Sequence, residues 1–474
     1  MMKFINELLM SFRPCFSRKA TFDWFVVIVA GLLIRTDHLG VTSVIRALFL
    51  SSDYMGLIGF FRSSAWTLEA LMSKWCGIVA QNASIVKAGG ACVIVGDAVK
   101  NSKEGRRMPG VKRHRQESDN SSKADYIFGH LFGGVGVLAE KDGKSFCIPL
   151  SMTLQDGVKT IFGWDEAGER QDSHVVETIR QAGKIAKQLV KAILLLDRQY
   201  LSVPGLLALD EANADGHVMH IVTKAKSNCT AYEEPGPTPR GRPRLKGAAV
   251  KIFSLFKTAA EQFKSAKLSL YEETREVRYH CVDLLWGKKL YRKLRFVLVE
   301  YDGKYTVLVS TDLELDPLEI IQLYGRRFGI EVMFREMKQV VCAFGYRFWS
   351  KYMPKLNRFK KKTDIDPIEQ VDDPKARKRI MLAIKAIEGF MFCAVVATGV
   401  LQMVSLTFSG TDEMSKLRFL RTKRKSIASE ATVADFLQKN FLRLLLSAPN
   451  LPICQIISAK QGNILDCSGF DRAA

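Results

Sequence analysis

Two apolar runs of strand length, a hundred residues apart and each closed by an aspartate, constrain this chain most. ACVIVG at 91–96 precedes Asp97, and AILLL at 192–196 precedes Asp197. Uninterrupted apolar runs of this length mark strands buried on both faces, the habit of parallel sheets. Ligands of such sheets gather at the carboxyl ends of the strands. A lone aspartate after a strand more often caps or turns the chain. Two in the same position predict an α/β fold that sets a pair of carboxylates side by side.

The intervening residues supply the rest of a sheet. A basic loop is predicted over 100–123, with Arg106, Arg107, Lys112, Arg113, His114 and Arg115. YIFGHLFGGVGVLAE (126–140) reads as a strand and turn, and 144–150 as its partner. Apolar residues at helical spacing over 175–190 then lead into the Asp197 strand. Strand, hairpin, helix, strand is the order of a ribonuclease-H-like core.

A third carboxylate stands in DPLEIIQLYGRRFGIEVMFREMKQV, residues 316–340. Asp316 can cap a helix there and Pro317 fits its first turn. Tyr324, Arg327, Glu331 and Lys338 are spaced by three, four and seven residues. At about 100° per residue they fall within roughly a 60° arc of one helix face. Glu with Lys or Arg on a helix face is commonly a solvated, salt-bridged surface. Here an aromatic hydroxyl, a guanidinium, a carboxylate and an ammonium share one stripe, which suits holding metal ions and phosphates together. Gly325 and Gly329 each weaken the helix by about 1 kcal/mol relative to Ala, and permit close approach of a sheet or a DNA backbone.

Tyr-x2-Arg-x3-Glu-x6-Lys resembles the Y-R-E-K signature of DDE-type insertion-sequence transposases of the IS-four class. GRRMPGVKRHRQESDNSSKADYIFGH (105–130) is similar to the segment that follows their first catalytic aspartate. The resemblance implies cut-and-paste transposition on a ribonuclease-H-like core interrupted by a β-rich insertion. It implies that Tyr324, Arg327 and Lys338 contact the element's terminal inverted repeat. It further implies a hairpin intermediate, with a flipped base stacked on an aromatic of the insertion. Trp286 is the candidate for that role, against the plain alternative of a core tryptophan.

The chemistry of the residues agrees. Three carboxylates, Asp97, Asp197 and Glu331, are a hard-oxygen set suited to two Mg²⁺ ions, with Mn²⁺ as a possible substitute. Such a pair supports in-line attack on phosphate by water and then by a 3′-OH. Work on two element ends implies a homodimer on inverted repeats and target DNA.

The expected domains are a helical N-terminal region (1–85), a first core part (86–226), a β-rich insertion (227–311), a second core part with the catalytic helix (312–400) and a helical C-terminal region (401–474). The N-terminal helices suit either a DNA-end reader of helix-turn-helix type or a packing collar. Residues 233–247, EEPGPTPRGRPRLKG, are expected to be extended. Arg240, Arg242 and Arg244 suit a minor-groove arm, or a linker that touches only phosphate.

Charge fits a polyanionic partner: 70 Lys and Arg against 49 Asp and Glu give +21. Ten scattered cysteines, with no Cys-x2-Cys pair, argue against a zinc site and a disulfide scaffold and fit a reducing cytoplasm, with the nucleoid as the place of action. The apolar run at 24–34, 11 residues, is short for a bilayer and is expected to be a buried helix. Two rivals stay open: a structure-selective nuclease on the same core, and a non-catalytic DNA-binding regulator of transposition.

Overall fold

The structure, a computed structural model, describes residues 1–37, 40–50, 54–116, 124–164, 172–237, 243–270, 273–359, 366–408 and 427–461. Five helices open the chain: α1 (Met2–Met10), α2 (Lys19–Ile34), α3 (Ser43–Ala47), α4 (Tyr54–Arg62) and α5 (Leu68–Asn82). Then come β1 (Lys87–Ala88), β2 (Ala91–Ser102), β3 (Lys112–Arg115), β4 (Tyr126–Lys141), β5 (Lys144–Gln155), α6 (Lys159–Phe162), α7 (His174–Gln188) and β6 (Ala192–Leu195). α8 (Val203–Ala212) and β7 (Met219–Lys224) precede a β-rich stretch: β8 (Thr230–Tyr232), β9 (Ala249–Lys251), α9 (Leu255–Thr258), β10 (Lys264–Leu270), β11 (Glu273–Trp286), β12 (Arg292–Tyr301) and β13 (Lys304–Ser310). The chain closes with α10 (Pro317–Gly325), α11 (Gly329–Gln339), α12 (Pro374–Phe408), α13 (Glu430–Lys439), α14 (Phe441–Ser447) and α15 (Pro452–Gln461).

One mixed sheet joins all these strands, in the order β3-β4-β2-β6-β7-β13-β12-β11-β8-β9, with β1, β5 and β10 pairing to β2, β4 and β11. β2, β6 and β7 run parallel, as their apolar sequences predict. β2 does not stop at Asp97. β4 pairs with it antiparallel from Ile94↔Val137 to Ser102↔Gly129, so Asp97 lies mid-strand, beyond where β6 ends. The expected loop at 100–123 therefore begins inside β2 and contains β3; residues 117–123 lie outside the described ones. The β-rich stretch continues the same sheet. β13 pairs with β7 (Leu308↔Lys224) and carries the sheet straight into the inserted strands. These strands enclose a second core of Leu284, Leu294, Phe296, Leu298 and Val307. Asp302 and Gly303, both at positive φ, make the tight turn between β12 and β13.

The helical ends pack on the main core. α2 is buried along most of its length, from Phe22 to Ile34, and α12 likewise from Ile384 to Leu406. α12 is long and apolar enough to cross a bilayer, but 78% of its apolar window is buried inside the protein, as in a core helix. α1 to α5 thus pack as a collar on this core. Thr67 caps α5, its hydroxyl accepting the Ala70 N–H at 3.2 Å. Near the carboxyl end Ser429 caps α13, and a break at Asn440 separates it from α14.

Candidate active site

Strand register brings the aspartates together. β2 and β6 pair with an offset of a hundred, from Cys92↔Ala192 to Val95↔Leu195. Two residues beyond the last pair stand Asp97 and Asp197, close enough for the charge of Asp197 to act on Asp97. The Thr223 hydroxyl of β7 donates to the Asp197 carbonyl at 2.8 Å, holding the backbone where β6 ends.

The third carboxylate arrives on α11, and two glycines of β4 let it come close. Gly134 lies opposite Asp97. A Cβ there would stand 2.7 Å from both the Met152 sulfur and the Phe334 ring, and one on Gly136 would stand 3.1 Å from the Met333 sulfur. Met333 and Phe334, with Ile330 and Met337, are the buried face of α11. That leaves Glu331 and Lys338 directed away from the core.

The helix is not continuous. Asp316 caps α10 as predicted, accepting the Leu318 and Glu319 N–H groups at 2.8 and 3.3 Å, with Pro317 in the first turn. Between Gly325 and Gly329 the chain tightens into a 3₁₀ turn, Arg326–Phe328, before α11 resumes. The single regular arc expected for the four signature residues is therefore interrupted. Arg326, in that turn, pairs with Glu140 of β4 at 2.5 Å.

Arg327 sits at the centre of the site. Its guanidinium donates to Asp97 Oδ2 at 3.2 Å and to Glu331 Oε1 at 2.6 Å. Burial opposes its charge, but Asp97, Tyr324, Asp197 and Glu331 together outweigh this and hold it above its ordinary range. Asp97 responds the other way. Burial, reinforced by the like charges of Asp197 and Glu331, pushes its carboxyl up to about 6; the Ala98 N–H, at 2.8 Å, and Arg327 only partly offset this. Sequence reasoning missed Tyr200, three residues after Asp197. It is 2% exposed, its hydroxyl has no hydrogen-bond partner among the described residues, and the charges of Asp97 and Asp197 help raise its pKa after burial itself. Only its spacing from Asp197 could have pointed to it.

Tyr324, Arg327 and Glu331 thus join Asp97 and Asp197 in one electrostatic cluster. Lys338 lies two turns further along α11, with its ammonium 5.7 Å from the centre of the Phe344 ring. The far end of α11 is held by Arg35 of the N-terminal collar. Its guanidinium donates to the Val341 and Cys342 carbonyls at 2.5 and 2.8 Å, and to the Ser43 hydroxyl at 2.7 Å. A buried cation at the carboxyl end of a helix also complements the helix dipole.

Arg240 and Arg242 lie outside the described residues, and Arg244 is exposed. On either side of these positions the described chain closes up: the Glu233 N–H donates to the Ala248 carbonyl at 3.0 Å, and β8 and β9 pair antiparallel. Trp286, at the end of β11, is half-buried against the second core.

The donor set suits a hard divalent cation: carboxylate oxygens whose mutual repulsion is relieved only in part by one guanidinium, beside an orphaned tyrosine hydroxyl. As placed, no group of three or more His, Cys, Asp or Glu side chains among the described residues is in position to hold an ion. Arg327 stands between Asp97 and Glu331 and takes up their charge.

A family model described as DDE superfamily endonuclease matches residues 11–279, more than half of the chain and inclusive of Asp97 and Asp197. No curated protein and no solved structure matches the chain.

Proposed function

The chain belongs to the DDE superfamily of endonucleases, and on that premise we propose that it is a cut-and-paste transposase of the Y-R-E-K, IS-four type. The observation that carries the reading is the convergence of Asp97, Asp197 and Glu331 around Arg327. The last of these residues lies beyond the matched span, yet it arrives at the same place. On this reading the sheet around β2, β6 and β7 is a ribonuclease-H-like core, 227–311 its insertion, and the helical ends its flanks.

Asp97, Asp197 and Glu331 would hold Mg²⁺, or Mn²⁺ in its place. Two bound divalent ions activate an attacking oxygen and stabilise the leaving one in phosphoryl transfer. Around that chemistry the chain's own groups position DNA. Arg327, beside two of these carboxylates, holds a phosphate next to the cleaved bond. Lys338 and Tyr324 hold phosphates of the terminal repeat along the same helix. Trp286 receives an extruded base, and Arg240, Arg242 and Arg244 follow the DNA backbone or its minor groove. Two copies of the chain pair two element ends, in the nucleoid.

The test is cleavage of a labelled duplex carrying the element's terminal inverted repeat, with Mg²⁺, Mn²⁺ or EDTA, by wild type and Glu331→Ala. Metal-dependent nicking at the repeat boundary, lost in the variant while DNA binding persists, is the expected result. Cleavage unaffected by the substitution would put the active site elsewhere. Efficient cutting of a single unpaired end, with no joining to target DNA, would favour a simple nuclease.

A further inference from the structure

A second cationic surface lies past the carboxyl end of β2, and the carboxylate site does not use it. The segment after α11 is pinned there. Lys103 Nζ donates to the Phe344 and Tyr346 carbonyls at 2.6 and 3.2 Å. The Tyr346 hydroxyl donates to His130 Nδ1 at 2.6 Å, and His130 Nε2–H donates to the Pro109 carbonyl at 2.9 Å. Arg107 donates to the Lys351 and Met353 carbonyls at 2.8 and 2.9 Å. So fixed, residues 347–352 form one wall of a cleft of about 430 Å³, closed on the other side by α4 and α12.

Its lining has an unusual composition. Arg62, Arg347, Lys351 and Arg379 face it, with Tyr54 and Trp349, and no carboxylate among the described residues does. None of the four cations is ion-paired among the described residues, and all four are exposed. Trp349 is 64% exposed and Tyr54 50%. Lysines and arginines of a solvated face are usually interleaved with acids. Here four cations converge on two open aromatic rings.

Resting on the reading that the chain acts on DNA, we propose that this cleft binds a single strand of DNA flanking the cleaved phosphate. Bases stack on Trp349 and Tyr54, and the four cations hold the backbone. Stacked bases of a duplex hide their faces from aromatic side chains, whereas a single strand offers them. A concave site of this volume also suits one strand better than a duplex. Asp97 lies on β2, and Lys103, which directly follows that strand, pins the segment that walls the cleft. One run of chain thus connects the carboxylates to the cleft.

The experiment uses the full chain in EDTA, so that binding is read without cleavage. Fluorescence anisotropy measures the affinity for labelled oligo-dT and for a blunt duplex of equal length. The proteins are wild type, Trp349→Ala, Trp349→Phe and the double variant Arg347→Ala/Arg379→Ala. Trp349→Ala is expected to weaken oligo-dT binding about tenfold, within the range for loss of one stacked base, while duplex affinity stays within twofold. Trp349→Phe keeps the ring and should restore most of the affinity. The double variant should flatten the salt dependence of oligo-dT binding by roughly 1.4 in the log–log slope, at about 0.7 per phosphate contact. All three positions are exposed, so unchanged melting temperatures should accompany these losses. Variants that bind oligo-dT like wild type overturn the proposal. A parallel fall on duplex overturns the single-strand assignment. Wild type that binds duplex but not oligo-dT overturns the cleft and leaves the endonuclease reading standing; binding to neither overturns both.

Discussion

Replacing Gly134 by alanine tests whether α11 owes its position to the missing side chain opposite Asp97. The new Cβ would lie 2.7 Å from the Met152 sulfur and 2.7 and 2.9 Å from two carbons of the Phe334 ring. Apolar atoms rest about 3.5–4.0 Å apart, so roughly 1 Å has to be found. Met152 and Phe334 are 2% and 7% exposed, which leaves little room for either to turn away. The helix must lift from the sheet, taking Glu331 with it. Overpacking of this kind costs about 1–3 kcal/mol. A displacement of about 1 Å between catalytic groups can cost on the order of a hundredfold in rate. Urea denaturation and single-turnover nicking of a labelled duplex read the two effects separately. Adding Phe334→Leu removes the obstructing ring atoms and should recover part of the rate. Gly77→Ala, at an exposed position of α5 where a Cβ meets nothing within 4 Å, is the control and should stabilise by about 1 kcal/mol. Gly134→Ala with unchanged stability and a nicking rate within twofold of wild type would refute the reasoning.

Three further outcomes are expected. The Asp97 carboxyl, pushed up to about 6 chiefly by burial, favours its neutral form in the fold. The stability this confers is complete below the unfolded value near 3.8 and is lost as pH rises through 6, so metal-free Asp97→Asn should melt higher than wild type at pH 8 and alike at pH 3. The difference is bounded by about 3 kcal/mol, at 1.36 kcal/mol per pH unit. Arg35→Met removes a charged donor from two helix-end carbonyls and should destabilise by about 3 kcal/mol in urea, while loosening the carboxyl end of α11 in hydrogen exchange. Thr67→Ala should lower stability by about 1 kcal/mol through loss of the α5 cap, without changing the nicking rate.

The residues most legible in the sequence were those whose placement is local. The runs before Asp97 and Asp197 read as buried strands because nothing polar interrupts them, and Asp316-Pro317 marked a helix start that α10 keeps. The break at Arg326–Phe328 was only hinted at by Gly325 and Gly329. A 3₁₀ turn and an α turn place the same residues on nearly the same side, so periodicity cannot separate them. Three features were invisible for a different reason. β2 runs past Asp97 because β4 pairs with it. Arg35 reaches carbonyls some three hundred positions away. Arg327 selects Asp97 as well as its helical neighbour Glu331. Each depends on a partner that is distant in the chain, and no local pattern encodes such a choice.

The pairing of β13 with β7 has a consequence for how such a protein can change over time. Lys224 and Leu308 are direct cross-strand neighbours, so their backbones stand about 5 Å apart. Seen from the carboxylates, everything between them is a single hairpin tip, whatever its size. Chain closure becomes only logarithmically harder as such a tip lengthens. Strands could be gained, trimmed or exchanged there while the register that aligns Asp97 with Asp197 stays as it is. Residues 225–307 can thus diversify beyond that crossing, under separate selection from the carboxylates.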